Sequence, residues 1–174
     1  FLLTQEKLAI KQTTLTQDSS DGQRILALVE MTKDNAVPLL FVAIRNDIRA
    51  NAKEIFSFFN ENDVAIKVIS GDNTLTVSKI ANQAGILDSE NYIDASTLKT
   101  KEDIEKAALS HTIFGRVTPE QKKDLVLAFK KNKYKVAMTG DGVNDILAMK
   151  EADCSIAMGS GSEAARQAAQ VVLL

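Results

Sequence analysis

Cysteine is almost absent from this sequence. Cys154 is the single cysteine among 174 residues, so the chain cannot close a disulfide within itself. This usage fits a reducing cytosolic setting, and a lone cysteine is most often a small buried apolar residue. We therefore expect Cys154 to be structural.

Long apolar runs and an excess of one charge are missing too. The longest apolar run, residues 37–44, is far shorter than the roughly 20 residues that span a bilayer, and nothing resembles a signal peptide. Because 21 basic residues face 23 acidic ones, the formal net charge is only -2. This balance gives no bulk attraction to nucleic acid or to an anionic membrane. We expect a soluble chain that binds no nucleic acid and holds any anion locally.

The remaining composition is that of a globular domain, with 45% hydrophobic and 25% charged residues. From Glu61 onward, short apolar runs alternate with segments of helical period, which predicts an α/β fold: a parallel sheet with helices on both faces. Gly85 is expected to cap one helix, and Thr118 and Gln121 form a capping-box pattern at the start of another. We predict strands at residues 64–69, 113–114, 134–138 and 155–158, and helices at 74–84, 104–109, 118–131, 143–150 and 162–169.

The first 44 residues follow a different pattern. Residues 25–31 and 37–44 are two β segments around a polar turn with no helix between them, which predicts an antiparallel hairpin. The chain begins with Phe1 and stops on an apolar segment, so we expect both ends to be cuts in a longer protein. The boundary between the hairpin's domain and the α/β domain is predicted at residues 44 and 45.

Polar residues follow the predicted strand at residues 64–69, in the position where open parallel sheets bind ligands. Ser70, Gly71 and Asp72 combine a hydroxyl, a flexible backbone N–H and a carboxylate at a helix N-terminus, where an anion is favoured. The same residues also suit an ordinary turn and helix cap. Both interpretations stay open on the residues alone.

A second polar group follows the predicted strand at residues 134–138. Asp141 and Asp145 lie four residues apart across a tight turn, with Asn144 between them. Two such carboxylates repel each other unless a cation or basic group lies between them, and magnesium prefers a few oxygens of this kind together with waters and phosphate. Magnesium binding is therefore one hypothesis, and simple turn formation with helix capping is the other.

Lys122 is the third candidate, because it lies in the first turn of a predicted helix. A cation is poorly placed there relative to the helix dipole, so a nearby anionic partner would be a reason to keep it. A solvated surface lysine is the alternative.

The order of these motifs resembles that of haloacid-dehalogenase-like phosphotransferases: hydroxyl-Gly-Asp, then a lysine on a later helix, then Gly-Asp-Gly-x-Asn-Asp. Other segments resemble the P-type ATPases of that superfamily. Residues 22–27 are similar to the strand that ends their nucleotide-binding domain, Ile48 and Arg49 to the close of their Asp-Pro-x-Arg hinge, and residues 115–122 to their Ala-Arg-x-x-Pro-x-x-Lys segment. Residues 136–169 match almost continuously.

The resemblance implies a haloacid-dehalogenase-like, Rossmann-like fold and a parent enzyme that couples Mg²⁺-dependent ATP hydrolysis, through an aspartyl phosphate, to cation transport across a membrane. Residues 1–44 would be a remnant of the nucleotide-binding domain, and residues 45–174 the phosphorylation domain on the cytoplasmic side. Its partners would be ATP, Mg²⁺, the transported cation, and the actuator and transmembrane domains of the same chain.

Residue roles also follow from the resemblance. Asp141 would be a magnesium ligand, while Asn144 and Asp145 would position phosphate, water and the lysine. Ser70 would donate a hydrogen bond to a phosphoryl oxygen, and Lys122 would neutralise the charge on it. The nucleotide-facing residues would be Arg24, Arg49 and Asp72 beside the flexible Gly71, and Gly142 would free the turn.

Two departures qualify the resemblance. The family nucleophile is an aspartate in an Asp-Lys-Thr-Gly-Thr run, and no such run occurs in the 174 residues. We therefore expect the first strand of the domain to be missing and the chain alone to be inactive. At the hinge, Asn46 stands where the family usually has aspartate, followed by Asp47.

Two other functions compete with the ATPase. One is a soluble haloacid-dehalogenase-type phosphatase, which would not explain Arg24, Arg49 or the hairpin. The other is a phosphate- or nucleotide-sensing module with no nucleophile, against which the cut-like ends argue.

Overall fold

The structure, a computed structural model, describes residues 24–31, 35–44 and 47–174. The chain divides into two compact units, one of Phe1–Ile66 with Leu75–Glu90, the other of Lys67–Thr74 with Asn91–Leu174. Across the described ranges, every helix is too short or too polar to cross a membrane.

The first unit contains the predicted hairpin. Strand β1 (Arg24–Met31) pairs with β2 (Ala36–Ile44) in antiparallel register, with an irregularity between Leu28 and Val29. The prediction of an antiparallel hairpin is confirmed. Most of its large apolar side chains are exposed; Leu28 and Leu39, for example, expose 58% and 59% of their surface.

Helix α1 (Ala52–Glu61) also belongs to the first unit, and no element was predicted there. None of its residues is buried, although Ile55, Phe58 and Phe59 recur in the sequence at the spacing of an amphipathic helix. Helix α2 (Thr74–Ala84) has the predicted bounds. Gly85 follows it with φ +86°, the left-handed conformation expected of a glycine cap.

The second unit contains parallel strands in two sheets, as far as the described residues show. One sheet has the order β3 (Val68–Ile69), β5 (Ile113–Gly115), β4 (Tyr92–Asp94), and the other has the order β6 (Ala137–Gly140), β7 (Cys154–Met158), β8 (Val171–Leu173). All neighbours within these sheets pair in parallel. The predicted α/β class is confirmed.

Helix α4 (Pro119–Lys131) joins the cores of the two sheets. Its residues Leu125 and Phe129 pack with Phe114 of β5, whereas its residue Val126 packs with Met138 of β6. Because one rigid helix contributes to both clusters, it fixes the positions of the two sheets relative to each other. The other helices of this unit are α3 (Lys101–Ser110), α5 (Ile146–Glu151) and α6 (Glu163–Ala168).

The start of α4 is held by the predicted capping box. Gln121 N–H donates to Thr118 Oγ1 (3.2 Å), and Thr118 N–H donates to Gln121 Oε1 (3.1 Å). Pro119 occupies the first turn, where its missing N–H costs nothing. These contacts fix the first turn of the helix and therefore the stem of Lys122.

Several predicted boundaries are wrong. The strand predicted at residues 64–69 is ladder-paired only at Val68–Ile69, and the strand predicted at 134–138 lies at Ala137–Gly140. The helix predicted at 143–150 begins as a 3₁₀ turn, Val143–Asp145, because Asp145 folds back on the backbone of Gly142. Strands β4 and β8 were missed; unlike the three-residue β5, which is wholly buried, β4 is only partly buried and β8 is exposed.

Asp153 carries a testable pH dependence at the start of β7. The Val136 N–H donates to its carboxylate at 2.9 Å, and this bond, together with the nearby ammonium groups of Lys130 and Lys135, holds the pKa of Asp153 below its ordinary value. A carboxyl whose pKa is lowered by folding stabilises the fold above its unfolded pKa and ceases to do so as the pH falls through the folded pKa.

We expect Asp153→Asn to lower the free energy of unfolding at pH 7, and the gap from the wild type to close as the pH falls below about 4. Denaturant titrations of both proteins across this pH range measure the gap. A gap that stays constant down to pH 2 would contradict the assignment.

Candidate active site

A pocket of about 360 Å³ lies in the second unit, at the carboxyl ends of β3, β6 and β7. The carboxyl ends of parallel strands are where ligands bind in open α/β sheets. Both sheets contribute, since β3 belongs to one sheet and β6 and β7 to the other. The lining residues are Ile69, Ser70, Lys122, Met138, Thr139, Gly140, Asp141, Asp145 and Met158.

The most constrained contact in the pocket joins Lys122 to Asp145. Lys122 Nζ donates to Asp145 Oδ1 at 2.7 Å, and each side chain exposes only 11% of its surface. Removing two charges from water is costly, and their attraction offsets that cost only when geometry and hydrogen bonding are good. Asp145 is therefore the anionic partner that the position of Lys122 on its helix suggested.

Asp145 is oriented by the backbone of its own turn. Its Oδ2 accepts a hydrogen bond from Gly142 N–H at 3.2 Å, while its N–H donates to Gly142 O at 3.1 Å. The side chain also folds against Gly140, where an added Cβ would lie 2.5 Å from the Cβ of Asp145 and 2.9 Å from its Oδ2. Only glycine at position 140 leaves room for this approach.

Asp141 differs from Asp145 in its surroundings. It is exposed, and none of the described residues donates a hydrogen bond to its carboxylate or pairs with it. Its backbone is fixed instead, because Asp141 O accepts the N–H of Ser162 at 2.7 Å. Asp141, which has no partner for its carboxylate among the described residues, therefore contributes an uncompensated negative charge to the pocket, whereas Asp145 is paired with Lys122.

The donor set suits magnesium that shares its ligands with phosphate. Magnesium is usually held by one or two carboxylates and completes its octahedron with water and phosphate oxygens. Within the described ranges no group of three His, Cys, Asp or Glu residues could hold a metal ion. Asp141 fits a magnesium site in which one carboxylate is completed by water and phosphate oxygens.

Ser70 directly follows β3 and is held by the backbone of β5 and of the turn after it. Its N–H donates to Phe114 O of β5 (2.9 Å), and its carbonyl accepts from Val117 N–H (3.0 Å). Its Oγ accepts the N–H of Asp72 at 3.1 Å, a local turn that keeps the hydroxyl beside the pocket. Asp72 and Gly71 are exposed and lie outside the set of lining residues.

The structure thus brings four of the predicted site residues to one pocket: Ser70, Lys122, Asp141 and Asp145. Asn144 is exposed and does not line the pocket, and Gly142 acts through its N–H on Asp145. Arg24 lies on β1 and Arg49 just before α1, both in the first unit. The hinge position Asn46 lies outside the described residues.

Thr139 and Gly140 also line the pocket. Both belong to the run of residues 139–145 that the sequence marked as a candidate site, but neither was assigned a role. Burial alternates along β6, and Thr139 is exposed near the carboxyl end of the strand, which faces the pocket. The need for glycine at 140, in contrast, depends on the fold of Asp145 and has no local signature.

Comparison with known proteins gives a consistent family. Residues 5–153 match the model of the haloacid dehalogenase-like hydrolases. A probable cation-transporting ATPase, exp7, of Streptococcus pneumoniae is 44% identical over 86% of this chain and 20% of that protein. The calcium-transporting ATPase CtpE of Mycobacterium bovis is 44% identical over 89% of this chain and 20% of its own length.

A solved structure agrees with these relatives. The crystal structure of a zinc-transporting PIB-type ATPase in its E2.Pi state superposes with a TM-score of 0.62 at 25% identity, over 91% of this chain and 21% of that one. The chain spans about a fifth of the length of the relatives it matches.

The buried pair makes a stability prediction. Asp145→Asn leaves the Lys122 ammonium buried without a counter-charge, so we expect the free energy of unfolding to fall by about 3 to 5 kcal/mol. Adding Lys122→Met to that variant should restore part of the loss, because the orphaned charge is then gone. Denaturant titration measures all three proteins.

The more exposed pair Lys123–Glu151, which joins α4 to α5, is the matched control. Its nitrogen and oxygen lie 3.3 Å apart, with side chains 39% and 35% exposed. Glu151→Gln should cost no more than about 1 kcal/mol. An equal cost for Asp145→Asn and Glu151→Gln would show that burial does not strengthen the Lys122–Asp145 contact.

Proposed function

The chain belongs to the haloacid dehalogenase-like hydrolase family, and we propose that it forms most of the phosphorylation domain of a P-type ATPase. Its parent would couple ATP hydrolysis to the movement of a cation across a membrane, with this segment on the cytoplasmic side. The relatives support this proposal through their names, which are those of cation- and calcium-transporting ATPases. The same names disfavour a soluble phosphatase.

One observation carries the proposal: a buried Lys122–Asp145 pair, 2.7 Å long, borders a pocket that also contains Ser70 and Asp141, whose carboxylate has no partner among the described residues. A cation, a hydroxyl and a free carboxylate around one cavity are the groups that phosphoryl transfer needs, since its catalysis is mostly alignment and charge stabilisation.

Each side chain then has a role in this proposal. Lys122 binds a phosphoryl oxygen with the ammonium hydrogens not used by Asp145, and Asp145 keeps the ammonium aimed at the pocket. Ser70 donates its hydroxyl hydrogen to a second phosphoryl oxygen. Asp141 holds Mg²⁺, which when bound supplies positive charge to the phosphoryl oxygens.

The nucleophile comes from outside these 174 residues in our proposal. Strands β3 and β6 each have one hydrogen-bonded neighbour among the described strands, and both end at the pocket. A further parallel strand carrying the Asp-Lys-Thr-Gly-Thr run would place its aspartate there. The carboxylate oxygen would then attack the γ-phosphorus of ATP, forming a new O–P bond as the bond to the departing ADP oxygen breaks.

Nucleotide recognition would involve four further residues. Arg24, Arg49, Gly71 and Asp72 would face the nucleotide. Asn144 would position phosphate and water beside Asp145. These roles rest on the resemblance to P-type ATPases.

Magnesium binding tests the role of Asp141. We expect Mg²⁺ to shift the backbone amide resonances of residues 140–142 saturably in the wild-type chain, and this response to disappear in Asp141→Asn because its free carboxylate is gone. Asp153→Asn is the matched control, since it removes a carboxylate at the opposite end of the same sheet and should leave the response intact. An unchanged titration of Asp141→Asn would rule out the assignment.

Phosphate release from ATP tests the proposal that this chain lacks the nucleophile. The 174-residue chain with Mg²⁺ and ATP should release no phosphate above a buffer blank, because the 174 residues lack the Asp-Lys-Thr-Gly-Thr run whose aspartate would form the aspartyl phosphate. The control is Lys122→Met, whose background should equal that of the wild type. Phosphate release that depends on Lys122 would show that the chain contains its own nucleophile.

A further inference from the structure

One arginine holds the loop of residues 159–162, between β7 and α6, through two hydrogen bonds. Arg166 lies on α6, is partly buried, and donates from a single guanidinium nitrogen to Gly159 O (2.9 Å) and Gly161 O (3.0 Å). Hydrogen bonds from a charged donor are stronger than neutral ones. Because both carbonyls belong to the same short loop, Arg166 restricts its shape.

The same loop supports the backbone of Asp141 from behind. Ser162 N–H donates to Asp141 O at 2.7 Å. Gly161 packs so closely that an added Cβ would lie 2.7 Å from Asp141 O and 3.0 Å from its Cα. Since no described residue binds the Asp141 carboxylate itself, the backbone and this loop decide where the carboxylate points.

We propose that Arg166 is a positioning residue for the magnesium ligand Asp141, acting through the 159–162 loop. The inference rests on the proposed function, in which Asp141 holds Mg²⁺. Arg166 itself does not line the pocket, so it would bind neither metal nor phosphate. Mutation of residues that orient a metal ligand typically lowers metal affinity about 10- to 100-fold.

Electrostatics alone predicts the opposite effect, which makes the proposal testable. Arg166 carries a positive charge on the element next to Asp141, so its removal would favour Mg²⁺ binding by simple Coulomb repulsion. Loss of positioning weakens binding instead. The sign of the change in Mg²⁺ affinity therefore separates the two effects.

The experiment uses the 174-residue chain, Mg²⁺ alone as the probe, and the amide resonances of residues 140–142 as the readout. Arg166→Met keeps the apolar stem and removes the donors, and we expect the apparent Kd for Mg²⁺ to rise about tenfold. Arg166→Lys should stay within about threefold of the wild type, because an ammonium can still donate to a carbonyl. Gln167→Met is the control on the same helix, since Gln167 bonds only to Glu163 in the described chain.

A second pair of variants reaches the loop without changing Arg166. Ser162 has φ -63° and ψ 147°, a conformation that proline can adopt, so Ser162→Pro removes the N–H that donates to Asp141 O. Ser162→Ala loses only the hydroxyl that caps α6. We expect Ser162→Pro, and not Ser162→Ala, to weaken Mg²⁺ binding as Arg166→Met does.

Amide hydrogen exchange tests whether Arg166 acts on Asp141 through the 159–162 loop. In Arg166→Met the Ser162 amide should exchange at least about tenfold faster, while the amide of Ala157 in β7 stays protected. Unchanged or tighter Mg²⁺ binding in Arg166→Met, with Ser162 exchanging faster, would overturn the inference and leave Arg166 a support of the loop alone. If the wild type shows no Asp141-dependent Mg²⁺ response, the proposed function fails and the inference fails with it.

Discussion

The burial of Lys122 against Asp145 is the constraint on which the rest of the pocket depends. Two opposite charges with 11% exposed side chains are tolerable only if their distance, hydrogen bonds and surroundings are all favourable. Gly140 must lack a Cβ, Gly142 must offer its N–H, and the chain must tighten into a 3₁₀ turn before α5. A pair that imposes so many conditions on its neighbours fixes the geometry of the whole turn after β6.

Helix α4 links the Lys122–Asp145 pair to the packing of the two sheets. Its first turn presents Lys122, while residues further along pack into the hydrophobic clusters beneath each sheet. The lysine is therefore placed by the same helix that holds the sheets together, and a change in sheet packing would move the ammonium relative to Ser70 and Asp141. The packing of α4 therefore contributes to the stability of the second unit and also sets the position of the Lys122 ammonium in the pocket.

The sequence predicted the features of this site that repeat along the chain. Alternation of apolar runs and helical segments gave the α/β class, and the rule that ligands bind at strand ends selected Ser70 and Asp141, which the structure brings to one pocket. What it could not predict depends on contacts made by the backbone. Arg166 lies within the segment 136–169 that resembles the P-type ATPases, but its partners are the backbone carbonyls of Gly159 and Gly161, and such contacts leave no pattern of residue types in the sequence. The roles of Arg24 and Arg49 stay predictions, as does the domain boundary at residues 44 and 45.

Strands β3 and β6 have a consequence for how such a domain can be assembled. Each offers a row of backbone donors and acceptors with no partner among the described strands, yet the cores beneath them are already joined through α4. A gap of this kind is a template for strand addition, and it accepts a chain by backbone geometry rather than by covalent linkage. If the nucleophile lies on a further strand, as we propose, a separate polypeptide could supply that strand, and a domain interrupted in sequence by another module could still close as one sheet.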